Sequence, residues 1–223
     1  MQIDKARDGS IQVHQGYHAE KLMAKYSIVK KSDTPLSSVF TGEDYVSSGV
    51  SKAVSMRQYQ EIVGDVTWLT LTRFDIMLAV SKVAQKTHYA SERDYSEVMR
   101  ILEYVNSYVN MPLIYHRAPV EQRVPLREIL GMPVGIFCNG DCAHGSSGRP
   151  GEPRDQTAYF VRIFSVCNAA IDAVSKVNQT TLASTEGEVA TQVKGVCSEI
   201  DVYFILNHIG FTNIAQMIYE GDA

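Results

Sequence analysis

At 223 residues the chain can hold one large domain or two small ones, and 45% hydrophobic with 21% charged residues is ordinary globular composition. A net charge of −4 excludes a protein that holds polyanions by bulk charge. The four cysteines, Cys138, Cys142, Cys167 and Cys197, lack the spacing of a secreted disulfide framework. No segment has the apolar core of a signal peptide or of a membrane span, so the expectation is a cytoplasmic or nuclear protein with reduced thiols and no membrane partner.

Residues 1–14 alternate around Asp8-Gly9, a hairpin signal. A chain that begins inside such a pattern reads as a fragment of a longer one. Tyr17, Leu22 and Tyr26 have helical spacing across residues 15–27. Residues 28–55, with Pro35, Gly42 and Gly49, read as a polar connector. Residues 56–87 read as two helical pieces, with Thr72 and Asp75 capping the second. Trp68 in this stretch reads as core rather than as a base-stacking platform, and Arg73 with Asp75 as a helix-end charge arrangement. Tyr95, Val98, Leu102, Val105 and Val109 make one apolar stripe, which predicts a helix over 92–109.

After Pro112 the pattern changes. Leu113–His116 reads as a strand, and residues 118–132, with Pro119, Pro125 and Gly131, as a linker between domains. Strands are expected at about 133–139, 157–164, 168–175 and 180–183. A helix over about 185–209, stopped by Gly210, and a strand near 215–219 complete the pattern. The predicted class is α+β: a helical part over 1–117, then a mixed sheet with a packed helix over 133–223.

The charge is uneven in the same sense. Residues 1–118 carry 14 Lys/Arg against 13 Asp/Glu, whereas residues 119–223 carry 7 against 12. The acidic half holds two segments that can carry chemistry, GIFCNGD over 135–141 and TLASTEGE over 181–188. The first reads as an apolar strand ending in a carboxylate-bearing turn, the second as a strand tip entering a helix with two carboxylates in its first turn. A strand-end Asp beside a helix-start Glu makes an oxygen-ligand site for Mg²⁺ or Mn²⁺. Asn139 and Asp141 are two apart and share a strand face, yet Asn-Gly-Asp is equally plain turn chemistry. Glu188 doubles as a metal ligand or as half of a Thr185–Glu188 capping box. Cys138, Cys142 and His144 lack the spacing of a zinc finger and read as core thiols beside a histidine. The Gly-rich run 146–151 has no Gly-Lys-Thr ending, so it reads as a loop rather than a phosphate cradle. Lys21, Lys25, Lys30 and Lys31 form a basic cluster, interleaved with acids, that reads as a solvated helix face.

These segments, in this order, resemble the C-terminal part of the polymerase polyprotein of copia-type LTR retrotransposons. The likeness rests on IQVHQGYHAEKLMAKY (11–26), SDTPL (32–36), YQEIVGDVTWLTLTRFDIMLAV (59–80), the helix-and-strand stretch 100–115, and residues 135–211 with STEGE where the family has S-T-x-A-E. It implies a thumb- or connection-like helical region over 1–117 and an incomplete ribonuclease H-like domain over 133–223. The ancestral activities would be RNA-directed DNA synthesis and metal-dependent cleavage of RNA–DNA hybrids. It implies inherited catalytic and metal-ligating positions at Asp141, Glu188 and Asp222 for Mg²⁺ or Mn²⁺. Two departures accompany it. The polymerase's paired Asp would lie upstream of Met1. In the ribonuclease H part Asn139 stands at the first catalytic Asp, the next Asp falls on Gly221 or Asp222, and the final carboxylate would lie past Ala223.

Three readings follow. The first is a degenerate transposable-element fragment without polymerase or nuclease activity. The second is a weak hybrid ribonuclease using Asp141 and Glu188. The third is a repurposed nucleic-acid or protein binding module. The partners implied are an RNA–DNA hybrid or primer–template duplex, held weakly and lost with salt, and the missing upstream polymerase segment. An incomplete sheet leaves the last strand at an edge, so marginal stability is expected in the C-terminal half.

Overall fold

The computed structural model describes residues 1–37, 55–88, 90–116, 131, 134–149, 152–163, 168–177 and 183–221. Strands β1 (Gln2–Lys5) and β2 (Ile11–His14) flank the expected Asp8-Gly9 turn. Gly9 has φ 89°, a conformation glycine adopts without strain, and the Asp8 carboxylate accepts from both the amide and the hydroxyl of Ser10 at 2.9 and 2.8 Å. With β3 (Leu113–Tyr115) they form a three-stranded sheet in the order β1-β2-β3.

Four helices follow from the apolar spacing: α1 (Gly16–Lys25), α2 (Met56–Leu69), α3 (Met77–Ala84), entered through a 3₁₀ turn at Phe74–Ile76, and α4 (Glu92–Ser107). They close on one core that includes Leu22, Tyr59, Val66, Leu69, Val83, Val98, Leu102 and Val105. Each fully buried side chain of this size contributes about 1.5–3 kcal/mol. The stripe predicted on α4 is the buried face, joined by Ile101, and Ser91 with Asp94 starts the helix as a capping box. Tyr17 departs from the expected α1 face: it is exposed, with Lys21 Nζ 4.4 Å from its ring centroid, and Ala19, Leu22 and Met23 turn inward instead.

Thr72 does not cap. Its hydroxyl donates to Gln15 Oε1 at 3.1 Å, and Asp75 is held by Arg73. Of the expected connector, residues 38–54 lie outside the described residues. Its first part is fixed along α4: Ser107 donates to the Ser32 carbonyl, Arg100 to Thr34 Oγ1, and Ser37 to the buried Glu97 carboxylate. Polar composition there reflects a hydrogen-bonded clip rather than a free linker.

In the C-terminal half β4 (Val134–Arg149), β5 (Glu152–Ile163), β6 (Asp172–Val177), α5 (Ser184–His208) and β7 (Ile214–Gly221) make a four-stranded sheet of order β6-β5-β4-β7 and its helix. β5 and β6 run antiparallel while β4 and β7 run parallel, so the sheet is mixed and the chain is α+β. β4 reaches Arg149 and β5 starts at Glu152, so most of the expected Gly-rich loop is strand, and residues 150–151 lie outside the described residues. So do residues 180–182 of the strand expected at 180–183, whose last residue, Ala183, caps α5 instead, and, Gly131 apart, the expected linker 118–132. Val134, Ile136, Cys138 and Val161 pack against Val202, Leu206 and Phe211. Gly210, at φ 106°, ends α5 as expected.

The chain divides into two compact units: Met1–Asp4, Gln12–Leu113 and Ser147–Pro153 in one, and Lys5–Ile11, Ile114–Ser146 and Arg154–Ala223 in the other. Among the described residues no helix is long and apolar enough to cross a membrane.

Candidate functional site

The turn reading of Asn139-Gly140-Asp141 gives way to strand. β4 continues through these residues, with Asn139 level with Glu220 and Gly140 level with Gly221 of β7. Pairing on both sides of β4 supplies ladder partners that override local turn chemistry. Alternation then sorts the side chains. Ile136 and Cys138 belong to the core against α5, and Asn139 and Asp141 take the opposite face. There Asn139 Oδ1 accepts from Arg162 Nη2 at 2.6 Å. Arg162 follows the core residue Val161 on β5, and its guanidinium carbon lies 4.9 Å from the Phe160 ring centroid. Asp141 is exposed and accepts from the Cys142 amide at 2.7 Å.

Glu188 stands in the first turns of α5, half-buried. The capping box with Thr185 does not form: the cap residue is Ala183, two positions earlier in register than that motif requires, and it makes no side-chain cap bond. Gly187 faces the sheet. A Cβ there would lie 2.7 Å from both Cys142 Sγ and Asp155 Oδ2, so only glycine permits this approach of helix to strand. One turn on, Thr191 donates to the Gly187 carbonyl at 3.0 Å. The Cys142 thiol is pushed up by burial, then by Asp155, and further by Asp141 and Glu188, against a hydrogen bond with Thr191 that lowers it. Cys142 is thus the point at which the fields of Asp141, Asp155 and Glu188 meet, and its own chemistry is that of a protonated thiol.

Three residues of this region were not singled out from sequence. Asp155 is 1% exposed, Arg162 holds Asn139, and Glu199 is 2% exposed on α5. The usable signal for Asp155 is its period-two series with Thr157, Tyr159 and Val161, which makes the inner face of β5. Burial pushes the Glu199 carboxyl up, partly countered by a hydrogen bond from the Cys138 backbone, and its Oε1 has no hydrogen-bond partner. Burial, with Glu199 and Asp172 nearby, pushes the Cys138 thiol up to about 12, so this is the core thiol expected. Cys142 is half-buried and Cys197 exposed. Cys167, Asp222 and the side chain of His144 lie outside the described residues. The β4–β7 register puts Glu220 level with Asn139 and Gly221 level with Gly140. Among the described residues no group of three or more His, Cys, Asp or Glu gathers as a metal cluster.

In the N-terminal half Trp68 is 59% exposed, which overturns the expectation of a core residue. In the basic cluster Lys25 pairs with Glu61 and Asp65 at 2.6 and 2.7 Å at the end of α1, and Lys30 and Lys31 are exposed beyond the helix, so the cluster is solvated but only partly helical.

No family model matches the chain, and no solved structure matches it. Over 130 residues it is 30% identical to an uncharacterized mitochondrial protein of Arabidopsis thaliana, AtMg00810. The similarity covers 58% of this chain and 47% of the relative, so the chain spans about half the length of the curated protein it matches.

Proposed function

We propose that the chain is a degenerate copia-type retrotransposon fragment, derived from the reverse transcriptase and ribonuclease H regions, that carries neither polymerase nor nuclease activity. The observation that carries this reading is the Arg162–Asn139 hydrogen bond of 2.6 Å. A ribonuclease H site needs a carboxylate at that position to hold a divalent cation. Here the position carries a neutral amide whose oxygen already faces a guanidinium, and a fixed positive charge beside it opposes Mg²⁺ or Mn²⁺. The residues at hand do not fit the metal, and no catalytic step is derived through one.

The ancestry is supported by the order of the sequence blocks and by the sheet order β6-β5-β4-β7. In that order the first strand of the domain is central and pairs in parallel with the strand after the helix. The similarity to the Arabidopsis protein covers 58% of the chain and names no activity. The alternative, a weak hybrid ribonuclease, draws on Asp141 and Glu188, which both act on the Cys142 thiol. Alternation of β4 directs Asp141 away from the face that packs on α5, and α5 carries Glu188.

The test is cleavage of an RNA–DNA hybrid by the folded chain in Mg²⁺ and then Mn²⁺, beside Glu188→Gln. The expected result is no cleavage above that control in either metal. Cleavage that disappears in Glu188→Gln would overturn the reading in favour of a ribonuclease.

A further inference from the structure

Helix α5 is apolar on two faces. One face, with Gly187, Thr191, Gly195, Ser198, Val202 and Leu206, is buried. On the other side Val189, Val193, Val196, Ile200 and Phe204 recur every three or four residues and are 51, 57, 38, 40 and 62% exposed. A helix lying on a sheet ordinarily turns a polar face to water. An apolar stripe about 22 Å long, at ~1.5 Å rise per residue, marks an interaction surface instead.

We propose that this stripe is the seam of a homodimer in which α5 packs antiparallel against α5 of a second copy. The stripe is self-complementary about a midpoint between Val196 and Cys197. A twofold axis there sets Val189 against Phe204 and Val193 against Ile200, so a small side chain meets a large one at each end. Charge selects the same direction. Glu186, at the N-terminal end, falls level with Asn207 and His208 of the other copy, whereas a parallel pair would set Glu186 against Glu186. Antiparallel helix dipoles also attract. The seam is short, at the small end of specific interfaces, so association is expected in the micromolar range.

Sedimentation velocity of the full chain over a micromolar concentration series tests the proposal, with circular dichroism to show that each variant keeps its helices. The native chain is expected to pass from monomer to dimer. Val193→Glu with Ile200→Glu is expected to remain monomeric, because two carboxylates meet two carboxylates. Val193→Glu with Ile200→Lys is expected to dimerise, because across an antiparallel seam the carboxylate at 193 meets the ammonium at 200. In a parallel pair the same variant sets like charges together. A native chain that stays monomeric, a two-carboxylate variant that still dimerises, or a mixed-charge variant that does not, each overturns the proposal.

Discussion

Arg162 Nη2 donates to Asn139 Oδ1 at 2.6 Å, which ties the centre of β4 to β5 through side chains as well as through the ladder. This bond decides what restoring a carboxylate would do. Asn139→Asp would put an anion beside the guanidinium and form a charge-assisted pair, stronger than the neutral bond it replaces. The expected outcome is unchanged or slightly raised thermal stability and no response to millimolar Mg²⁺. The double variant Asn139→Asp with Arg162→Gln removes the competing cation. It is the one expected to show a melting temperature that rises with Mg²⁺. A Mg²⁺-dependent shift in the single variant would show that Arg162 does not block the position.

Glu199 gives a pH prediction with a definite sign. Burial raises its carboxyl above the ordinary 4.5 in the folded state. The protonated form is therefore the one the fold favours. Stability from this group is full below the unfolded value and is lost as pH rises through the folded one. The carboxyl group is 2% exposed and has one oxygen unpartnered, so its ionisation is disfavoured in the folded chain. Glu199→Gln should stabilise the C-terminal half by about 1–3 kcal/mol at pH 7, because the neutral amide removes the charge that burial disfavours. The gain should vanish near pH 4. Urea unfolding at the two values checks this, and an equal effect at both would mean that the carboxyl does not titrate with folding.

Arg73 is 3% exposed, pairs with Asp75 through Nε and Nη2 at 2.9 and 2.8 Å, and donates to the Tyr108 carbonyl through Nη1 at 2.9 Å. One side chain thus ties the start of α3 to the segment after α4. Removing it leaves the Tyr108 carbonyl and the Asp75 carboxylate unmatched. Arg73→Ala should cost about 3–5 kcal/mol. Arg73→Lys should recover little, because a point charge cannot make the two-pronged bond and reach Tyr108 together. Denaturant midpoints of the two variants measure both effects, and a lysine variant as stable as the native chain would show that charge alone suffices.

Much of the fold was legible because period and punctuation agreed. Asp8-Gly9 turned a hairpin, Val98, Leu102 and Val105 faced a core, and Gly210 ended a long helix. Local chemistry failed where tertiary partners outbid it. Asn139-Gly140-Asp141 has turn composition, yet β7 runs beside it and the chain stays extended. Thr72 could cap a helix but bonds Gln15, 57 residues away in sequence. Thr185 and Glu188 have capping spacing, but α5 begins at Ser184, and the register is two residues out. The Arg162–Asn139 bond joins strands 23 residues apart, and no local pattern announces such a pair.

Trp68 shows how an apolar residue in an apolar helix can still face water. Helix α2 buries Tyr59, Ile62, Val63, Val66 and Leu69, and Trp68 falls between the last two, off that face. It is the chain's single tryptophan and is 59% exposed. Its emission should therefore match that of indole in water and should be quenched efficiently by iodide in the folded protein. Unfolding in urea should move the emission maximum very little, while the far-ultraviolet circular dichroism of α1–α4 is lost. A blue-shifted, iodide-resistant emission that shifts red on unfolding would place Trp68 in the core after all, and the face assigned to α2 would have to be rotated with it.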